Sequence, residues 1–389
     1  MKVLHIVPSL SLVRGGPTIA VLETVKALRD SGVDAAAIAT NDNGDRILDV
    51  PLNEWVDYHD IPARFFPRSP SPIKAFSEFS IALQLTDWLR ENIRNYDLIE
   101  INSLFSYACT FSARIARQQN IPYVISPHGH FSPWVIGQKR WKKRIYNFLL
   151  EQKNLDRATA IHCTTEDEAK YTKNFGVRAP TFVVPLGVRS PMDLPNARQK
   201  LRDRFGISPD IPIILFLSRL HPKKRPDFLL QVLDRVAKQH DFHLLLAGSG
   251  DETYVKSIAN LVSSLKLSDR VTMPGFVTGE DKDRLLLGSD LFVLPSYGEN
   301  FGIAVAEAAI AGLPAIITPE VELRGDIRDR QAGIVVPGEI DPWVEAISKL
   351  LTSPQLCREM GENGRQLATQ RYNWSAVGKQ LAEIYIDLV

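Results

Sequence analysis

The chain has 389 residues, with 46 Lys and Arg against 45 Asp and Glu and a formal net charge of +1. That length exceeds one ordinary core and suits two domains of common size, with the cleft between them as the expected place for a small molecule. With 44% hydrophobic and 23% charged residues, the composition excludes a disordered chain, and the near-neutral balance supplies no long-range field that would commit the protein to nucleic acid.

Cys109, Cys163 and Cys357 are odd in number and show no metal-ligand spacing. They read as reduced thiols of a cytoplasmic protein, without zinc or a disulfide frame. The opening MKVLHIVPSL runs straight into a strand pattern and lacks the apolar region and cleavage site of a signal peptide. No apolar run approaches the roughly 20 residues that cross a bilayer, so membrane association would be peripheral, at the inner face.

Short β-branched runs alternate with longer amphipathic segments, which predicts an α/β protein whose parallel sheets are covered by helices on both faces. In chain order the first half offers strands at Lys2 to Val7, Val33 to Thr40, Asp97 to Asn102, Pro122 to Ser126, Ala160 to Thr164 and Thr181 to Val184. Between the second and third of these, Gly44 to Phe79 is proline-rich with weak periodicity, and irregular excursions are expected there instead of core elements. Pro185 to Pro212 lacks strong periodicity and reads as the linker, with the boundary near Gly187.

The second half repeats the pattern, with strands at Ile211 to Leu217, His243 to Ala247, Val271 to Pro274, Leu291 to Pro295 and Pro314 to Thr318. The domain assignment is 1–187, 188–370 and a C-terminal helical segment at 371–389 that returns to the first domain. Its helix, Trp374 to Leu388, has apolar residues at helical spacing.

Ligands of parallel sheets bind at the carboxyl ends of the strands, so the residues after each strand carry the chemistry. After the first comes Arg14-Gly15-Gly16-Pro17, where free amides of a helix N-terminus could hold an anion or a sugar hydroxyl; a tight turn is the alternative. A third glycine and an acidic ribose partner are missing, which argues against a nicotinamide enzyme. After Leu217 comes Ser218-Arg219-Leu220-His221-Pro222-Lys223-Lys224-Arg225, fixed positive charge where a diphosphate could be neutralised, or else a solvated basic loop. Gly248-Ser249-Gly250 is a bare backbone turn.

Ser296-Tyr297-Gly298-Glu299-Asn300-Phe301-Gly302 then leads into a helix from about Ile303 to Ala311, and Glu307 lies about two turns along it. Glu299 and Glu307 can therefore address different parts of one ligand. The spacing alone proves nothing; its place after a strand gives it weight.

Glu299-Asn300-Phe301-Gly302 through Glu307, after Leu294 to Ser296, resembles the E-x7-E signature of retaining GT-B glycosyltransferases, specifically glycosyltransferase family 4. The likeness spans nearly the whole chain: Gly15-Gly16 is similar to the family's N-terminal glycine loop, Arg219 to Lys224 to its diphosphate clamp, and Gly248-Ser249-Gly250 to its central turn. It implies two Rossmann-like domains with parallel sheets facing across a cleft, the first binding acceptor and the second nucleotide sugar. Arg219 and Lys224 would neutralise the diphosphate, Glu307 would accept from the ribose, and Glu299 would hold the transferred sugar. Phe301, Gly302 and Ile303 would add backbone donors, and Val277, after Gly275-Phe276, would pair with the base. His128, in Ser126-Pro127-His128-Gly129-His130, resembles the family's cleft histidine facing the donor sugar, with His130 as its competitor. Arg225 departs from the family's Gly, as an extra cation that tightens the diphosphate site or points outward.

The implied reaction is metal-free, retaining transfer of a hexose from a UDP-sugar, with UDP-glucose the chosen donor, to a saccharide or lipid-linked acceptor in glycan synthesis. No cofactor and no nucleic acid are expected. The basic segment 138–147, QKRWKKRIYN, either lies on anionic headgroups or is a solvated helix face. Two other readings stay open: a UDP-sugar epimerase on the same architecture, and a non-catalytic nucleotide-sugar-binding protein.

Overall fold

The computed structural model describes residues 1–44, 46–69, 81–137 and 150–389. The basic segment 138–147 lies outside the described residues. Two compact units emerge, Met1–Gly187 together with Trp374–Val389, and Val188–Asn373.

The first unit contains β1 (Lys2–Ser9), β2 (Asp34–Thr40), β3 (Asp42–Asn43), β4 (Arg46–Ile47), β5 (Trp55–Tyr58), β6 (Ile61–Phe66), β7 (Leu98–Asn102), β8 (Tyr123–Ser126), β9 (Ala160–Cys163) and β10 (Thr181–Val183). β3 and β4 form a small antiparallel pair, and the other eight make one sheet in the order β10-β9-β8-β7-β1-β2-β6-β5. All its pairings are parallel except β5 with β6. β1, β2 and β7 are covered on both faces, which is why they read as continuous apolar runs and not as alternating ones.

One face is packed by the helices Leu83–Asn92 and Tyr107–Gln119. The other is packed by Gly16–Asp30 and by the last helix, Trp374–Leu388, whose Val377, Leu381, Ala382 and Tyr385 enter the core. That helix lies against Gly16–Asp30 so closely that a Cβ on Gly378 would stand 2.4 Å from the carbonyl oxygen of Ala27.

The second unit contains β11 (Ile213–Leu217), β12 (His243–Ala247), β13 (Val271–Gly275), β14 (Leu291–Leu294), β15 (Ala315–Ile317) and β16 (Gly333–Val335). They form an all-parallel sheet in the order β13-β12-β11-β14-β15-β16. This is the doubly wound order, with the reversal between β11 and β14.

Two expectations are corrected. The Gly44 to Phe79 region is not all irregular: β6 is an interior strand with Ile61, Ala63 and Phe65 fully buried, and β5 pairs with it. Pro185 to Pro212 is not a plain linker, because it holds the helix Ala197–Phe205, on which Arg202 is buried and donates to the carbonyls of Ser208 (2.6 Å) and Ile211 (2.8 Å). The buried guanidinium satisfies loop carbonyls beside a stripe of only Ala197, Leu201 and the half-buried Phe205, too short to stand out as periodicity.

Substituting Gly378→Ala forces a methyl group onto backbone that cannot rotate away, and a loss of about 1–3 kcal/mol is expected from such overpacking. Urea unfolding of the variant measures it, and an unchanged midpoint would show that the helix is not docked this way.

Candidate active site

At the reversal in the second unit the chain leaves β11 and β14 in opposite directions, and the residues after both strands share one crevice. After β11, His221 caps a 3₁₀ turn, Pro222–Lys224, its Nδ1 accepting from the Lys223 N–H at 3.1 Å. Burial first, then the cations Arg219, Lys224 and Lys223, depress the proton affinity of His221. Arg219 is exposed, and Lys223 and Lys224 are half-buried.

The loop after β14 is sewn to this turn through backbone. The Tyr297 N–H donates to the Lys223 carbonyl at 2.8 Å, and the buried Ser296 hydroxyl reaches the same oxygen at 3.2 Å. On the far side Glu299 exchanges backbone hydrogen bonds with Glu320 (3.1 Å) and Glu322 (3.3 Å). Held from both sides, Glu299 accepts from Lys224 Nζ, and each side chain of the pair is only 12–13% exposed.

The helix Ile303–Ala311 begins at Gly302, whose φ of 93° glycine adopts without strain. Ile303, Ala304 and Glu307 form its only partly exposed face, while the rest of the helix is buried. Glu307 accepts from Lys282 Nζ at 2.6 Å. The Phe301 ring is buried edge-on against Tyr372 at 5.3 Å, so Phe301 can offer a ligand its backbone and not its ring. Asn300 sits between Glu299 and Phe301 at the mouth. Val277, past the end of β13, is half-buried beside Phe276, which is 69% exposed.

Gly248 is fixed by packing: a Cβ there would lie 1.8 Å from the Ser218 carbonyl oxygen. Its N–H donates to Gly275 at 2.8 Å, and Leu220 N–H donates to Ser249 at 2.8 Å. Thus the glycine turn lets the ends of β11, β12 and β13 close up beside Arg219. Arg225 neither joins the cations nor points outward. Its guanidinium carbon lies 3.9 Å from the Phe228 ring centre and 4.5 Å from that of Tyr297, and it donates to the Gly338 carbonyl at 3.0 Å.

In the first unit Gly15, at φ 79°, caps the helix that starts at Gly16, with a 3₁₀ turn, Leu12–Arg14, before it. His128 follows β8 at φ 49°, half-buried, its Nε2 3.1 Å from Asn102 Oδ1. Asn102 Nδ2 lies 3.4 Å from His5 Nδ1, which is 3.3 Å from Glu100 Oε2. Glu100 is buried with His162 at 3.1 Å and with hydrogen bonds from Ser126 and Tyr385. His130 turns to Ser103 Oγ at 3.1 Å, so the two loop histidines have different partners.

The family model described as "Glycosyl transferase 4-like domain" matches residues 15–187, and the one described as "Glycosyl transferases group 1" matches residues 197–367. Between them they span well over half of the chain. The chain belongs to the group 1, family 4-like glycosyltransferases. A D-inositol 3-phosphate glycosyltransferase of Mycobacterium marinum is 32% identical over 209 residues, 52% of this chain and 44% of the relative. An alpha-D-kanosaminyltransferase of Streptomyces kanamyceticus is 31% identical over half of each chain. The chain thus spans about half the length of these curated relatives. In fold it is similar to sucrose-phosphate synthase from Thermosynechococcus elongatus (TM-score 0.83, 21% identity, 100% and 99% of the two chains). The Anabaena protein HepE, solved in complex with UDP-glucose, gives a TM-score of 0.81 at 22% identity over the full length of both chains. Two Rossmann-like parallel sheets make this the GT-B class.

The structure adds two residues to the candidate site that the sequence alone does not mark. Lys223 carries no mark of its own within the basic run, yet burial depresses its proton affinity while Glu299 and Glu322 favour its charge, with Lys224 and Arg219 opposing. Lys282 sits on the helix Gly279–Gly288 and meets Glu307 only through the fold. Among the described residues no group of three His, Cys, Asp or Glu side chains is gathered as a metal site.

Burial first, and then the neighbouring His162, lower the proton affinity of His128 to about 4, against the pull of Glu100. Its imidazole should stay neutral from pH 8 to about 5. As the pH falls below about 6.5, the ordinary histidine value, the unfolded chain takes up a proton that folded His128 refuses, so stability falls toward pH 4. Histidine side-chain NMR, with His128→Asn to assign the resonance, tests this, and a midpoint near 6.5 would overturn it.

Proposed function

We propose that the protein is a retaining, metal-independent glycosyltransferase that moves a hexose from a nucleotide diphosphate sugar, with UDP-glucose the preferred donor, to a saccharide or lipid-linked acceptor. The observation that carries this reading is the Lys224–Glu299 pair at the reversal point, flanked by Arg219 and Lys223. It supplies cations for a diphosphate and a carboxylate for sugar hydroxyls within one crevice. An ammonium has three donors, so Lys224 can bond Glu299 and still give hydrogen bonds to phosphate oxygens.

In this reading Arg219, Lys223 and Lys224 hold the diphosphate, Glu299 the transferred sugar and Glu307 the ribose. The amides of Phe301, Gly302 and Ile303 add donors where small residues and the helix N-terminus leave the backbone accessible. Glu307 keeps acceptor capacity beside Lys282, which restrains its carboxylate. His128 of the first unit, neutral by burial, is assigned to the transfer as an uncharged group. The acceptor oxygen bonds the anomeric carbon on the face from which the diphosphate leaves. Its proton passes to a departing phosphate oxygen as the carbon–oxygen bond breaks, and the cations stabilise the charge that builds there. The HepE complex with UDP-glucose supports the choice of donor.

Calorimetry with a panel of nucleotide sugars, followed by product analysis with and without acceptors, tests the proposal. Arg219→Ala should weaken UDP-sugar binding about 10- to 100-fold, the loss of a charge-assisted hydrogen bond. Glu307→Gln should weaken UDP and the sugar-bearing nucleotide alike, whereas Glu299→Gln should weaken the sugar-bearing nucleotide more than UDP. The reverse pattern would exchange their roles. Conversion of the nucleotide sugar without an acceptor would make the protein an epimerase, and a strict Mn²⁺ or Mg²⁺ requirement would remove the metal-free mechanism.

A further inference from the structure

A second polar and aromatic pocket opens in the first unit, at the opposite end of the sheet from His128 and Gly15. Lys2 and Asp34, the first residues of β1 and β2, lie on its rim, which places it at the amino ends of the strands. Its volume is about 480 Å³, within the size range of small-molecule sites.

Its floor is built by β5, β6 and the helix Leu83–Asn92. Trp55 and Arg64 stand directly opposite each other in the β5–β6 pair. Trp88 comes from the helix, its ring centre 6.0 Å from that of Trp55 at an interplanar angle of 74°. The Arg64 guanidinium carbon lies 5.1 Å from the Trp88 ring centre. Asn92, Asn95 and Tyr96 complete the wall.

Two features specify a ligand. Trp55 is 41% exposed on the pocket, an indole surface that the C–H face of a pyranose ring can cover while its hydroxyls meet the amides and phenol around it. Arg64 has no hydrogen-bond or ion-pair partner among the described residues, and its Nε is buried. The contact with the Trp88 ring leaves the guanidinium donors unused, which is costly in a half-buried group and suits a bidentate carboxylate. Asp34 faces both Lys2 at 3.8 Å and Arg29 at 3.7 Å, so the pocket is net positive and Arg64 is its cation without an ion-pair partner among the described residues.

We propose that this pocket binds an acidic saccharide, with a uronic-acid carboxylate on Arg64 and a sugar ring on Trp55. In an enzyme that extends a glycan, such a subsite would hold the polymer away from its reacting end. The binding itself does not depend on the reading of the donor crevice, and it is tested apart from it.

Isothermal titration of the full chain with tetragalacturonate, and with maltotetraose as the neutral counterpart, tests the assignment. One tetragalacturonate is expected to bind per chain, about tenfold or more tighter than maltotetraose, with Arg64→Gln and Trp55→Ala each weakening it by about tenfold or more. Thermal unfolding and UDP binding of both variants should match the parent, which separates a lost pocket from a lost fold and from a lost donor site. No binding of either sugar, binding that survives both substitutions, or preference for maltotetraose would overturn the proposal.

Discussion

The order β13-β12-β11-β14-β15-β16 imposes the constraint on which the candidate site depends. A parallel strand must be followed by a crossover, and only at the reversal do two neighbouring strands send their crossovers to opposite sides, leaving their carboxyl ends uncovered. Lys224 and Glu299, 75 residues apart, meet there because β11 and β14 are neighbours. Both are largely covered by protein, and removing one partner of such a pair strands the other charge at a cost well above that of losing a surface ion pair. The pair therefore fixes the loops as well as furnishing them. The backbone bonds of Ser296 and Tyr297 to Lys223 make the same junction without side-chain charge.

In the first unit the corresponding anchor is Glu100, buried in the central strand β7. Burial disfavours its charge, but His5, His162 and the Ser126 hydroxyl outweigh burial and hold its carboxyl well below the usual range. His162 gains proton affinity despite burial through its hydrogen bond to Glu100. A further charge on His5 or His128 would be repelled by His162 in a site that already disfavours ions, and both have lowered proton affinity. Tyr385 closes the cluster from the last helix, 285 residues from Glu100 in sequence. Chain end and His128 loop are coupled through that carboxylate, since Asn102 bridges His5 and His128.

Much of this was legible in sequence because a parallel strand covered on both faces is a short apolar run, and the residues after it carry the exposed chemistry. His243–Ala247 reads directly, as does the helix Ile303–Ala311 with Gly302 before it and Gly312 after. What failed to read has separate physical causes. β6 is flanked and interrupted by proline, which masked the alternation of Ile61, Ala63 and Phe65. The helix Ala197–Phe205 buries Arg202 beside Ala197 and Leu201 alone, too short an apolar stripe to register as helical periodicity. Arg225 looked like a spare cation in the diphosphate loop, but its guanidinium is taken up by two rings and a carbonyl. Lys282 carries no local signal, because its value lies in a contact with Glu307 that only the helix packing creates.

The charge arrangement around Glu299 bears on how such a crevice would favour reaction over binding. Three cations, Arg219, Lys223 and Lys224, stand together here, with the carboxylates of Glu299 and Glu322 acting against their repulsion. Under the proposed function they meet a diphosphate carrying two negative charges as substrate and more as it departs. Cations held by backbone bonds and by a buried ion pair need not reorganise when that charge develops, and they interact with it more strongly than with the substrate. The partial desolvation that depresses the proton affinity of Lys223 also removes the water that would screen it. Glu299 then has two roles that cannot be separated by simple deletion. It offers acceptors to the sugar, and it keeps three like charges together before the diphosphate arrives.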